Sequence, residues 1–154
     1  MKHVRSLVVF VAALMLAGCA SQYPNTYDKN IIVNLTMEKP GLLTTAKALL
    51  GVNDMDANCK IEYWGDVELA NGPNKIGLAP GQLTNLVVVI AQDKFGGPSR
   101  SSRRSFLFKP AAGKQYELDV SYVDAMFDVR VYEIAGSKRK ELSKPSAPAC
   151  KPAA

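Results

Sequence analysis

The chain has 154 residues, 47% of them hydrophobic and 21% charged, a balance that supports one domain with a buried core rather than two. Its formal net charge is +5, and it carries one histidine, His3, and three cysteines, Cys19, Cys59 and Cys150. Loss of the N-terminal segment would leave no imidazole, which excludes Ser-His-Asp and Cys-His nucleophilic sites and His-ligated zinc.

Residues 1–18 read as a targeting segment. Lys2 and Arg5 precede an uncharged run from Leu7 to Gly18, which is shorter than the roughly 20 residues a membrane-spanning helix needs. The competing reading is a core helix that stands first. The cations at one end and the turn-forming residues at the other favour a cleaved signal. Leu16-Ala17-Gly18-Cys19 resembles the lipobox of bacterial lipoproteins. That resemblance implies cleavage before Cys19, lipid on the Cys19 thiol and amine, and stable anchoring through several acyl chains. Ala20, not Asp, follows the cysteine, which in the enterobacterial pattern implies transport to the outer membrane, where a periplasm-facing domain is the expectation. Cleavage removes Lys2 and Arg5 and leaves 17 basic against 14 acidic side chains. No basic helix or aromatic-interleaved basic stripe remains, so nucleic acid is not an expected partner.

With Cys19 lipidated, Cys59 and Cys150 form an even pair in an oxidising compartment, and a disulfide is the expectation. It would close a loop of about 90 residues, worth about 4–5 kcal/mol in the chain-entropy model, and hold the Pro/Ala-rich tail 144–154. A reactive thiol or a metal ligand is the alternative, although neither cysteine belongs to a Cys-x-x-Cys pair.

Residues 19–30 are polar and turn-rich and read as a lipidated tether, followed by a domain over 31–143. Ile31 to Thr36 is a β-branched run and a predicted strand. Apolar residues at 42, 43, 46, 49 and 50 have helical spacing and predict a short helix ended by Gly51. Residues 53–58 read as a loop; it lacks the central Gly and terminal Glu of a calcium loop, so no metal is expected. Cys59, Ile61, Tyr63, Gly65, Val67 and Leu69 alternate with polar residues, Trp64 breaks the alternation, and Gly65 marks a bulge beside it. Asn71-Gly72-Pro73-Asn74 predicts a turn, with Lys75 to Leu78 pairing back, and Pro80-Gly81 a type II turn. Leu86 to Ala91 predicts a central strand, residues 96–104 a loop, and Ser105 to Lys109 a strand. Tyr116, Leu118, Val120 and Tyr122, then Phe127, Val129 and Val131, predict an antiparallel hairpin with one buried face. Glu133 falls on the apolar parity, so the register is expected to end or bulge near Tyr132. Lys138 to Leu142 predicts a charged edge strand.

Seven or eight short strands and one helix predict a mainly β chain, an antiparallel β-sandwich. Ile76-Gly77-Leu78-Ala79-Pro80-Gly81 followed by Leu86-Val87-Val88-Val89 resembles the strand–Pro-Gly–strand element of PEGA-type and transthyretin-like envelope domains. The resemblance implies the sandwich and no particular activity. Transthyretin-like lipoproteins also occur in secretion machines, and no motif assigns this chain to one.

Arg100, Arg103 and Arg104 are the candidate site for an anionic headgroup, a phosphate or an acidic partner; the alternative is a solvated hairpin loop. Lys138-Arg139-Lys140 is a second basic cluster, of interest if both share one end of the domain. Tyr63 with Trp64 forms either an interface anchor or covered core. Asp66 with Glu68, and Glu117 with Asp119, are the carboxylate pairs a hydrolase would need, although any half-exposed strand produces them. No Ser-x-x-Lys, Gly-x-Ser-x-Gly or phosphate-cradling loop is present. The expectation is a non-enzymatic, membrane-anchored lipoprotein without cofactor, a binding or accessory component that meets a protein partner in the envelope. The alternatives are a ligand-binding or lytic-enzyme inhibitor lipoprotein and a carboxylate-dependent hydrolase.

Overall fold

In the computed structural model the described residues are 21–38, 41–56, 58 and 60–142. They form nine strands: β1 (Ile31–Met37), β2 (Thr44–Met55), β3 (Ile61–Leu69), β4 (Gly72–Ile76), β5 (Thr84–Lys94), β6 (Arg100–Phe108), β7 (Gln115–Val123), β8 (Met126–Ala135) and β9 (Lys138–Leu142). One sheet has the order β4-β1-β7-β8-β9 and the other β3-β2-β5-β6. Every pairing is antiparallel except β1 with β7. That parallel pair is possible because the whole four-stranded sheet is threaded between its two members, which supplies the long crossover parallel strands require.

The core draws on both sheets: Ile31, Val33 and Leu35 of β1 and Leu118 and Val120 of β7 meet Leu50 and Val52 of β2 and Leu86, Val88 and Ile90 of β5. These are alternate residues of their strands, as period-2 burial demands. β5 lies between β2 and β6; on its outer face Val87 is 7% exposed while Val89 and Ala91 are half-buried, so its apolar run is fully covered on the core face and partly shielded by the flanking strands on the other.

The helix expected over 42–50 is a strand. β2 runs twelve residues through the position of its predicted stop, pairs with β5 from Thr44–Lys94 to Asp54–Thr84, and turns Ala48, Leu50 and Val52 inward. Pairing on both sides outweighs a local spacing to which Leu42 and Leu43 contribute although both are exposed. The same strand absorbs residues 53–55 of the expected loop. β6 likewise begins at Arg100, so the loop expected up to Arg104 ends five residues earlier. The β7–β8 register continues without a bulge to Gln115–Ile134, and Glu133 is accommodated at the sheet end by an ion pair with Lys114, 2.8 Å.

The expected pairing of Lys75 to Leu78 back on the preceding strand does not form: β4 takes in residues 72–74 of the expected turn and pairs with β1 in the other sheet, because its register partners are Ile31 to Leu35. The bulge and two turns match their expectations. The β2–β3 register shifts between Val52 and Asn53, so that Val52 faces Gly65 and Asn53 faces Tyr63, leaving Trp64 as the extra residue of a bulge. The shift turns Ile61 and Tyr63 outward, each 50% exposed, while Gly65, Val67 and Leu69 lie opposite the inward Val52, Leu50 and Ala48. Asp124 and Ala125, at φ 52° and 60°, make the two-residue β7–β8 turn with the conformation a twisted hairpin favours. Gly81, at φ 78°, follows Pro80 in a turn closed by the Gln82 amide donating to the Ala79 carbonyl, 3.4 Å.

Candidate functional site

Three surfaces emerge from this arrangement: an N-terminal strap, an apolar tip and a charged sheet face. The strap is residues 21–30, part of the segment expected as a tether. In the structure it lies against the domain and crosses from the β3 edge to the β4 edge. The Asp66 amide donates to the Ser21 carbonyl (2.9 Å), and the Tyr23 amide donates to the Asp66 carbonyl (3.0 Å). Gln22 thereby makes a parallel bridge to Asp66. Tyr23 enters the core at 3% exposure, and its hydroxyl donates to the Gly77 carbonyl, 2.8 Å. Burial, with a smaller contribution from Tyr27, pushes the Tyr23 phenol above its usual pKa. The Asn25 and Asn30 side chains take the place of a partner strand. Asn25 accepts from the Gly77 amide (2.7 Å), and buried Asn30 both accepts from the Leu78 amide (2.9 Å) and donates to its carbonyl (2.8 Å).

Two glycines make this fit possible. A β-carbon on Gly65, already at φ +138°, would stand 2.5 Å from the Tyr23 nitrogen and 2.6 Å from the Ser21 oxygen. One on Gly77 would collide with the Tyr27 carbonyl. Nothing in the polar composition of residues 20–30 announced this docking; the residues that could have were one tyrosine and two asparagines with β-edge partners far away in sequence.

The tip lies at the opposite end of the four-stranded sheet. Thr44 pairs with Lys94, and just beyond that pair the Phe95 amide donates to the Leu43 carbonyl, 2.8 Å. Leu42, Leu43 and Phe95 are 107%, 64% and 84% exposed. The neighbouring β7–β8 turn adds exposed Val123 and Met126; Tyr122 of β7 reaches Gln92 of β5, 3.4 Å. Beside the leucines, Thr44, Gln92, Lys94, Pro98 and Arg100 line an open cleft of about 250 Å³. A Gly before Leu42 and Gly96-Gly97-Pro98 after Phe95 were the signals that could have placed these residues on turns.

The structure separates the three candidate arginines. In the β5–β6 register Arg100 faces Gln92, Arg103 faces Val89 and Arg104 faces Val88. Arg100 and Arg104 therefore share one face of β6, and Arg103 projects from the other. Arg104 lies 5.8 Å from the centre of the Phe127 ring, and Arg100 lines the tip cleft. The second basic cluster is not at the same end. β9 begins opposite Ala135, beyond the pairing of Ile134 with Gln115, and its Arg139 is held by Glu117 (2.7 Å), Asp119 (2.6 Å) and the face of Tyr132 (3.9 Å). The Asp119 bond, together with Glu117 and Tyr132, pushes the Arg139 guanidinium above its usual pKa.

That cluster also accounts for one carboxylate pair. Glu117 and Asp119 do share a face, Arg139 bridges them, and Asn34 donates to Asp119, 3.0 Å. Asp66 pairs with Gly51 and Glu68 with Leu49, on the outer face of the other sheet. Tyr63 is exposed and its hydroxyl donates to the Ser21 carbonyl, 3.4 Å; Trp64 is half-buried against the core. Cys19, Cys59 and Cys150, with the expected lipid anchor and disulfide, lie outside the described residues. Among the described residues no group of three or more His, Cys, Asp or Glu is gathered as metal ligands.

A scan against protein-family models finds no match to the chain, and a search of curated proteins finds none.

Proposed function

We propose that the chain is a bacterial envelope lipoprotein, anchored through lipid on Cys19, whose domain binds a protein partner rather than transforming a substrate. The binding half of this reading is carried by one observation: Leu42, Leu43 and Phe95 stand together, largely exposed, at one end of the domain. Large apolar side chains gathered in solvent mark interaction sites, whereas single ones are ordinary. Lys94 and Arg100 beside them supply cations, so the partner surface that fits combines apolar side chains with a carboxylate. The anchoring half is supported by Leu16-Ala17-Gly18-Cys19 after a short apolar run behind two cations. Two sheets that share one core, with the Pro80-Gly81 turn between β4 and β5, support reading the domain as a β-sandwich of the PEGA or transthyretin-like kind.

Capture after crosslinking in cells tests the binding half. A fixed envelope partner is expected for the wild-type chain. Leu42→Ser with Phe95→Ser should abolish the crosslink while leaving the amount of folded protein unchanged. Retention of the crosslink refutes the tip as the binding site. Replacing Arg100 alone should weaken capture, and replacing Arg103, on the other face of β6, should not. The anchor is tested by Cys19→Ala, which should end incorporation of labelled palmitate and release the chain from membranes; continued labelling refutes it.

A further inference from the structure

The strap and the lipobox together fix how the domain meets its membrane. This step rests on the reading of Cys19 as the lipid-bearing residue. Ser21 is held on β3 by its carbonyl, which accepts from the Asp66 amide, 2.9 Å, and from the Tyr63 hydroxyl, 3.4 Å. Only Ala20 separates Ser21 from Cys19. Two residues of fully extended chain span about 7 Å. A lipid on Cys19 therefore cannot hang the domain on a long leash, because the surface around Ser21 has to lie within about one residue-pair length of the headgroups.

That surface carries the matching chemistry. Ile61 and Tyr63, turned outward by the bulge at Trp64, are each 50% exposed on the edge strand of the four-stranded sheet, with Tyr63 bonded to Ser21 and Ile61 two residues further along the same strand. An exposed isoleucine beside a tyrosine whose ring is apolar and whose hydroxyl is polar suits the headgroup layer, where such amphipathic rings concentrate. Lys60, also exposed, stands next to them and can reach lipid phosphates. The tip is at the far end. Ile61 pairs with Met55, and from Met55 to Thr44 β2 runs eleven residues, roughly 35 Å at the rise of a twisted strand.

We infer that the Ile61–Tyr63 edge of β3 rests on the headgroup layer of the bilayer that holds the Cys19 lipid, so that the domain stands upright and presents Leu42, Leu43 and Phe95 away from the membrane. The molecule then has two apolar poles with different occupants: lipid at the strap end and protein at the tip. A flexible tether would allow any orientation; the docked strap restricts the domain to those that keep the Ser21 surface near the headgroups.

The test uses the full-length chain purified from membranes and reconstituted into phosphatidylethanolamine–phosphatidylglycerol vesicles that carry a headgroup nitroxide. Trp64 is the single tryptophan. Two reporters are made in a Trp64→Phe background, one with Ile61→Trp and one with Phe95→Trp. Both should float with the vesicles, and quenching should be several-fold stronger for Ile61→Trp than for Phe95→Trp. Co-flotation with equal quenching, or with stronger quenching at position 95, overturns the orientation and leaves the anchor intact. Failure to float overturns the anchor and the orientation with it. Hydrogen exchange on the unsubstituted chain gives the same contrast without any change at Trp64. Vesicle reconstitution should slow exchange at 60–63 and leave 41–43 unchanged; slowing at 41–43 alone refutes the inference.

Discussion

Tyr23 is the residue on which the docked strap depends most, and its replacement gives the sharpest measure of whether residues 21–30 belong to the domain. Its ring is 3% exposed within the core cluster, and its hydroxyl is bonded to the buried carbonyl of Gly77. Truncation of a buried aromatic to alanine costs about 3–5 kcal/mol, through lost transfer energy and the cavity left behind. Removing the hydroxyl alone, in Tyr23→Phe, leaves the Gly77 carbonyl without that donor and costs about 1–2 kcal/mol. Set against a total stability on the order of 5–15 kcal/mol, Tyr23→Ala should remove a large fraction of it. At a urea slope of about 2 kcal/mol/M the midpoint should fall by about 2 M for Tyr23→Ala and by less than 1 M for Tyr23→Phe. Urea unfolding of the domain followed by Trp64 fluorescence is the assay, with Tyr27→Ala as the comparison because the Tyr27 side chain is 42% exposed. If Tyr23→Ala moves the midpoint no further than Tyr27→Ala, the strap is not part of the cooperative unit. The inference about orientation would then lose its foundation.

Gly65→Ala should destabilise by about 1–3 kcal/mol, because it combines a strained φ of +138° with a β-carbon driven into the Ser21–Tyr23 backbone. In a chain shortened to begin after Tyr23 the backbone clash is gone and only the φ strain remains, so the effect should shrink without vanishing, and thermal denaturation of both forms checks this. The raised Tyr23 pKa predicts alkaline weakening of the domain. The unfolded chain ionises its tyrosines near pH 10 while folded Tyr23 keeps its proton, so stability is intact below pH 10 and is lost as pH rises through the higher folded value. Unfolding midpoints measured from pH 8 to 11.5 should fall above pH 10, and less in Tyr23→Phe. Arg139→Met should leave the fold in place and lower its stability modestly at low salt. Glu117 and Asp119 then repel each other without their shared cation, and added salt should shrink the difference. A difference that does not change with salt would assign the role of Arg139 to its stacking on Tyr132 instead.

Legibility in the sequence followed the range of the interactions. The β7–β8 hairpin could be read because burial alternation and turn chemistry are both local: Tyr116, Leu118, Val120 and Tyr122 face inward and Asp124-Ala125 make the turn. β9 was legible for the same reason, as a charged run that closes an edge. The bulge was visible in Trp64-Gly65, where one residue breaks parity beside another that tolerates the bend. β2 was not legible, because its strand state comes from neighbours that begin at Ile61 and Thr84, while its own apolar spacing fits a helix. The candidate arginines were identified by type and misplaced by element. Only the β5–β6 register reveals that Arg103 points away from Arg100 and Arg104.

By itself the sequence determined a mainly β domain, its last hairpin and edge strand, and the absence of any histidine beyond His3. These depend on composition, on period-two burial and on motifs of a few residues, all of which are properties of neighbours along the chain. Tertiary structure alone decided that β1 pairs in parallel with β7, that Tyr23 and Asn30 fasten a polar segment to the domain, and that Leu42, Leu43 and Phe95 converge at one end while Ile61 and Tyr63 flank the strap. Each of these joins residues separated by dozens of positions, as Tyr63 and Ser21 are where the strap meets β3. The free energy that selects them comes from long-range strand pairing and shared burial, to which no local window of sequence is sensitive.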